Sequence, residues 1–150
     1  MSERCLQCGA LLSAGSTCQM LHEELLNFES LNAVPHSIHF LHVTSFLVQH
    51  ERYSNEALVW AQSMLRVHLD ETMTEQQLLE HLRVAGKNKA SHIRTWKFNR
   101  APDAPPLPKI SWSITIVDVA RQMENDAGRY SKLVKRWAQA TLQQMASWPL

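Results

Sequence analysis

Apolar residues recur at helical spacing along most of the chain. Leu21, Leu25 and Phe28 repeat every three or four positions, which predicts a helix over 18–31 with Glu23 and Glu24 on its outer face. Similar patterns predict further helical segments over 36–50, 54–69, 75–85, 115–121 (a short turn) and from Asn125 or Asp126 onwards. Several β-branched residues in 36–50 leave a strand as an alternative there. The predicted fold class is mainly α.

Capping residues mark the predicted helix boundaries. Thr17 or Ser16 can cap the first helix, and Thr74 followed by Gln77 forms a capping box before the fourth. Gly86 is expected to end that fourth helix, at about Ala85. Beyond it, helical spacing is lost until about residue 112, and four prolines predict a long loop: Pro102, Pro105, Pro106 and Pro108.

The length of 150 residues favours a single domain. We expect an N-terminal zinc knuckle over 1–18, helices over 19–85, a basic and Pro-rich loop over 86–112, and C-terminal helices over 113–150. The knuckle is expected to pack on a bundle of about five helices.

The composition is that of a globular protein. Hydrophobic residues make up 45% and charged residues 19%. No apolar run approaches the roughly 18 residues of a membrane span, and Met1–Arg4 begins no signal peptide, so we expect a cytoplasmic protein without a membrane partner.

The three cysteines indicate a metal site rather than disulfides. Their number is odd, and the sequence Cys5-Leu6-Gln7-Cys8-Gly9 places two thiols on a tight turn from which both can reach one ion. Cys18 provides a third sulfur at the start of the first predicted helix, where the helix dipole favours a thiolate. These ligands predict a structural zinc ion, which requires a fourth ligand.

Two histidines are the main candidates for that fourth position. His22 lies one helical turn after Cys18 on the same face. If the segments 18–31 and 36–50 form an antiparallel hairpin, however, the chain returns about as far as it travelled, and His50 ends level with Cys18. The same reasoning places His39 too far along the second helix. We favour His50, with His22 as the alternative.

A basic segment suggests an anionic partner. Residues 1–80 contain 3 Lys/Arg against 10 Asp/Glu, whereas residues 81–150 contain 12 against 4. The segment 83–100 interleaves cations with aromatic residues, as surfaces that bind single-stranded nucleic acid do. Its candidate nucleic-acid-binding residues are Arg83, Lys87, Lys89, Arg94, Trp96, Lys97 and Arg100. A protein partner, or a loop whose aromatic residues pack on the core, would produce the same pattern.

Catalysis is the less favoured function. The chain has no nucleophile elbow, no Gly-rich phosphate loop, no His-Glu-x-x-His helix and no deaminase motif. The remaining enzymatic alternative is a metal-dependent centre inside the helical bundle, built from His39, His42 or His68. His36, His39 and His42 fan over about a third of a helix, which favours solvated or hydrogen-bonded histidines over a second metal centre. The sequence specifies neither a catalytic residue nor an oligomeric state.

The same motifs resemble a family of uncharacterised bacterial proteins, domain of unknown function 5946. They are the Cys5-to-Gly9 turn, the lone Cys18, and a helix carrying His39, Leu41 and Val43 and ending in Gln49-His50; weaker similarity covers 115–119 and Trp137-Ala138. The resemblance implies no known activity. It implies an aromatic residue at position 22, which favours His50 or His39 as the ligand. It also implies a third-helix histidine where this chain has Gln62.

Overall fold

A computed structural model describes residues 3–90 and 97–150 of the chain. Over these residues the protein is mainly helical, as predicted, with six helices and one small sheet. The helices are α1 (Cys18–Leu31), α2 (His36–Gln49), α3 (Asn55–His68), α4 (Glu75–Ala90), α5 (Ile116–Gln122) and α6 (Ala127–Met145). Within the described ranges no helix is long and apolar enough to cross a membrane.

The N-terminal segment forms a minimal β-hairpin. Strands β1 (Glu3–Arg4) and β2 (Leu11–Leu12) pair antiparallel, with Glu3 opposite Leu12 and Arg4 opposite Leu11. Hydrophobic periodicity does not predict these strands because each contains only two residues. A hairpin this short has little stability of its own, so its position depends on what it packs against.

The predicted caps hold the helix starts. The Thr17 hydroxyl accepts a hydrogen bond from the Met20 amide at 3.1 Å and begins α1. Thr74 and Gln77 form the predicted reciprocal pair, with amide-to-side-chain distances of 2.8 and 3.2 Å. These contacts are local, which explains why the sequence alone locates them.

One predicted boundary was wrong. Helix α4 continues to Ala90 and passes through Gly86, which was expected to end it. A single glycine inside a helix costs only about 1 kcal/mol relative to alanine, so neighbouring turns can extend past it. The short helical segment predicted over 115–121 is confirmed as the seven-residue helix α5, which Thr115 caps as expected, in a capping box with Asp118.

Helix α2 occupies the middle of the bundle and contacts α1, α3, α4 and α6. Its apolar residues Leu41, Phe46 and Val48 are buried against those neighbours, and so are its polar residues His42 and Gln49. Because a central helix has no fully solvated face, its polar side chains must find partners inside the protein.

The Pro-rich loop is packed along the helices. The Ser54 amide donates to the Phe98 carbonyl at 2.8 Å, and the Phe98 ring meets Trp60 edge-on with centroids 5.0 Å apart. Further along, the Trp148 indole donates to the Pro108 carbonyl at 2.8 Å, and Lys109 donates to the Leu6 carbonyl. The described part of this loop therefore connects the start of α3, the C-terminus and the N-terminal turn.

Candidate metal centre

The turn between β1 and β2 presents two thiols to the same side. The Cys5 amide donates to the Ala10 carbonyl at 2.8 Å, and the Gly9 amide donates to the Cys5 carbonyl at 2.9 Å. Gly9 has a φ of +78°, a left-handed conformation that glycine adopts without strain. This tight turn brings Cys8 back beside Cys5 and leaves Leu6 exposed at the tip.

Helix α1 supplies the third sulfur. Cys18 is its first residue, and its Sγ lies 3.7 Å from the Sγ of Cys8. Both thiols are buried. The hairpin therefore meets the N-terminus of α1 through sulfur atoms, while its apolar residues Ala10 and Leu12 are buried in the core.

The two buried sulfurs favour a shared proton or a cation. The hydrogen bond with Cys18, opposed by burial and assisted by His50, lowers the pKa of Cys8 to about 4. The same contact with Cys8, together with burial, raises the pKa of Cys18. One thiolate beside one thiol is the arrangement that a metal ion converts into two thiolate ligands.

His50 completes a group of four potential ligands. Helices α1 and α2 run antiparallel, and His50 lies at the C-cap of α2, level with the start of α1. Its Nδ1 donates to the Phe46 carbonyl at 2.7 Å, which leaves the lone pair on Nε2. That Nε2 atom is buried and has no hydrogen-bond partner within the described residues. The ligand atoms of Cys5, Cys8, Cys18 and His50 all lie within 4.8 Å of one another.

The other two candidate ligands lie elsewhere. The Nδ1 of His22 lies 2.9 Å from the Nε2 of His42, and the ring stacks on Phe46 at a centroid distance of 4.2 Å. The Nδ1 of His39 lies 2.8 Å from a carboxylate oxygen of Glu29. In residues 3–90 and 97–150, the Cys5–Cys8–Cys18–His50 group is the sole cluster of three or more such ligands.

Sequence reasoning missed a second buried cluster, centred on Glu29. Its carboxylate accepts hydrogen bonds from His42 Nδ1 at 2.8 Å, from His39 at 2.8 Å and from the Tyr130 hydroxyl. Burial raises the pKa of Glu29, but the hydrogen bonds outweigh it and leave that pKa below its usual range. Burial and the nearby Glu29 charge also raise the pKa of Tyr130. The sequence contained one indication of this cluster: Glu29 follows Phe28 on the apolar face of α1, where a carboxylate is buried and requires polar partners.

The histidines of the enzymatic alternative are not brought together. His39 and His42 share Glu29, whereas His68 donates from Nδ1 to the Met64 carbonyl at 2.9 Å and stacks on Phe40. Burial lowers the pKa of His68, which keeps its ring neutral. The three histidines therefore form no common metal site.

The predicted nucleic-acid-binding residues are only partly described. Arg83 pairs with Glu80 at 2.6 Å, and Arg100 donates to the Asn55 side chain at 2.8 Å and to the Pro105 carbonyl. Lys97 is exposed. Arg94 and Trp96, together with the side chains of Lys87 and Lys89, lie outside the described residues. Two of the predicted cations thus bind partners within the protein.

Fold and site together define a mainly helical protein with a Cys₃His group, near its N-terminus, that could hold a metal ion. The chain belongs to a family of unknown function (DUF5946), whose sequence profile matches residues 3–146. This confirms the family resemblance of the cysteine and histidine motifs. No curated protein and no solved structure matches the chain.

Proposed function

We propose that this protein is a zinc-stabilised helical interaction module in which Cys5, Cys8, Cys18 and His50 bind one structural zinc ion. The observation that carries this proposal is the convergence of four ligand atoms within 4.8 Å of one another. Three sulfurs and one imidazole nitrogen are a usual ligand set of structural zinc. Four protein ligands complete a tetrahedral site and leave no open position for a substrate.

Zinc would fasten the N-terminal hairpin to the helices. The ligands come from three places: the β1–β2 turn, the first residue of α1 and the C-cap of α2. The hairpin has two residues in each strand and cannot hold itself in place. Because the site requires thiolates, we expect a reducing compartment, namely the cytoplasm.

Metal analysis of the purified protein tests this proposal. We expect about one zinc per chain in the native protein and a large loss of zinc in Cys18→Ser. Ser13→Ala, at an exposed position of the same segment, is the matched control and should retain the metal. A native protein without zinc, or a Cys18→Ser variant with undiminished zinc, would rule the site out.

The proposed partner is an anion, with nucleic acid as the first candidate and an acidic protein as the other possibility. Support comes from the excess of cations in residues 81–150, which extends beyond the predicted loop. Helix α6 exposes Lys132, Lys135 and Arg136 and contains no carboxylate. Within the described ranges none of these three forms an ion pair. Exposed, unpaired cations at helical spacing are suited to neutralising phosphates.

Salt-dependent binding to a single-stranded oligonucleotide tests the partner. For single strands the logarithm of affinity falls against the logarithm of salt concentration with a slope of about −0.7 for each neutralised phosphate. Replacing Lys132, Lys135 and Arg136 by glutamine should make that negative slope shallower by about 2. Lys97→Gln tests the predicted basic loop in the same assay, so that its effect on binding can be compared with that of the α6 substitutions. Absence of binding at low salt would remove the nucleic-acid proposal and leave the zinc site unaffected.

A further inference from the structure

A cleft lies on the protein surface between the end of α3, the start of α4 and α6. Its volume is about 670 Å³, within the range of clefts that bind small molecules. The charged or titratable residues that line it are Arg66, His68, Asp70, Glu71, Glu75 and Lys135. None of them belongs to the group of four ligands at the metal centre, so the cleft is a separate candidate site.

His68 places a buried and unpaired acceptor at this cleft. The residue is 4% exposed, and its Nδ1 donates to the Met64 carbonyl, 2.9 Å away. Because a carbonyl oxygen only accepts, the proton lies on Nδ1, and the neutral ring keeps a lone pair on Nε2. That Nε2 atom is buried and has no hydrogen-bond partner in the described ranges. A buried acceptor without a donor is costly, so a donor on a bound ligand would stabilise it.

The His68 ring is neutral and has a fixed orientation. Burial lowers its pKa, whereas the hydrogen bond to Met64 and the charge of Glu75 act in the opposite direction. The net lowering keeps the ring unprotonated at neutral pH, so Nε2 accepts and does not donate. The ring also stacks on Phe40, with centroids 4.2 Å apart. The effect of Glu75 shows that its carboxylate is close enough to act on the same ring.

Glu75 supplies a second acceptor, and its carboxylate is also oriented. One carboxylate oxygen accepts from the Ser37 amide and the other from the Ser37 hydroxyl, both at 2.8 Å. Each oxygen has a further lone pair, which can accept from a ligand. The cleft therefore offers two oriented acceptors, of which one is neutral and one is negatively charged.

The charge of the cleft favours a cation over an anion. Its carboxylates are Asp70, Glu71 and Glu75, against two cations, Arg66 and Lys135. Within the described ranges no ion pair joins these groups, so the carboxylates are not neutralised by the cations beside them. A positively charged ligand is therefore attracted by the excess of negative charge.

We propose that this cleft binds a small molecule through a primary ammonium group, which donates to His68 Nε2 and to the Glu75 carboxylate. An ammonium group carries three N–H donors and one positive charge, which match a neutral acceptor beside a charged one. A water molecule can satisfy Nε2 but leaves the charge of Glu75 uncompensated. His68 and Glu75 belong to no group of three metal ligands in the described residues, which disfavours a metal ion. The proposal does not depend on the zinc site or on the anionic partner.

Two cations of equal charge test whether N–H donors matter. Ethylammonium has such donors, whereas tetramethylammonium has none. In nitrogen NMR spectra of the metal-loaded protein at pH 7, we expect ethylammonium to shift the His68 Nε2 resonance and the amide signals of residues 66–75. Tetramethylammonium should bind at least about tenfold more weakly, because it forms no hydrogen bond with the charged carboxylate. Equal binding of the two cations, or no shift with ethylammonium, would overturn the proposal.

Two variants then identify the acceptors. His68→Phe keeps a ring beside Phe40 but removes Nε2, and Glu75→Gln removes the charge. Each should weaken ethylammonium binding by about tenfold or more. Glu56→Gln removes an exposed carboxylate in the first turn of α3, outside the cleft, and should leave binding unchanged. Unchanged binding in either His68→Phe or Glu75→Gln, with the fold retained by circular dichroism, would contradict the assignment.

Discussion

The imidazole of His50 donates from Nδ1 to the backbone carbonyl of Phe46, 2.7 Å away and one turn back along α2. Imidazoles that bind metals usually have their second nitrogen fixed in this way. The bond selects the tautomer and turns Nε2 towards the three sulfurs. In the proposed zinc site, the helix backbone thus orients the fourth ligand before the metal arrives.

The histidine ligand can be identified by comparing two variants. We expect His50→Ala to weaken zinc affinity by about a hundredfold or more, since even the loss of a group that orients a ligand costs about ten- to a hundredfold. His39→Ala should bind zinc like the native protein because its ring contacts Glu29 instead of the sulfurs. Competition with a chromophoric chelator measures both affinities. Equal weakening in both variants would contradict the assignment.

Removing the metal should destabilise the N-terminal segment first. At a free metal concentration about 100 times the dissociation constant, metal binding adds about 2.7 kcal/mol to the free energy of unfolding. Its loss corresponds to a fall of about 5–10 °C in melting temperature for a chain of this size. Hydrogen exchange of the chelator-treated protein should show lost protection over residues 3–18, with α6 little changed. If chelation leaves both the melting temperature and the exchange unchanged, zinc does not hold the hairpin.

Two buried tyrosines allow the contribution of the Tyr130–Glu29 hydrogen bond to the free energy of unfolding to be measured. Tyr130→Phe removes a hydroxyl that donates to the buried carboxylate and keeps the ring that meets Phe28 edge-on. Its expected cost is about 1.5–3 kcal/mol, the range for a hydrogen bond to a charged group. Tyr53→Phe, whose hydroxyl has no charged hydrogen-bond partner within the described residues, should cost about 1 kcal/mol or less. Urea unfolding measures both, and a larger loss for Tyr53→Phe would contradict this.

His22 should make stability depend on pH in mildly acidic solution. Burial, followed by repulsion from His42, lowers its pKa from 6.5 to about 4 in the folded protein. As pH falls below 6.5, the unfolded chain binds this proton first, so stability present above that pH is lost progressively down to about pH 4. The ring is half exposed, and screening reduces the loss to about 1–2 kcal/mol.

The free energy of unfolding, measured between pH 7 and 4, checks this contribution. His22→Gln should lose less stability over that interval than the native protein, whereas the exposed His36→Gln should follow the native curve. Because acid also releases thiolate-bound metal, both variants are compared in the presence of chelator. Parallel curves for His22→Gln and the native protein would show that His22 does not titrate differently on folding.

Much of the fold could be predicted because its signals are local. Leu25 and Phe28 repeat at helical spacing, and Thr17 and Thr74 bind amides three residues ahead, so neighbouring residues suffice to locate the helices. The spacing of Cys5 and Cys8 likewise indicates a metal-binding turn. The end of α4 was harder to predict, since one glycine changes helix stability by too little to decide it.

The remaining features depend on contacts between residues far apart in sequence. The sequence left His22, His39 and His50 as possible partners of Cys18, and the antiparallel packing of α1 on α2 brought His50 to the sulfurs. The same packing buried Glu29 among His42, His39 and Tyr130, which come from two other helices. Sequence by itself determined the helices and the cysteine turn, because backbone hydrogen bonds and caps act within a few residues. Only the tertiary structure decided the fourth ligand and the hydrogen-bond partners of Glu29, because close packing selects which distant polar groups must satisfy one another.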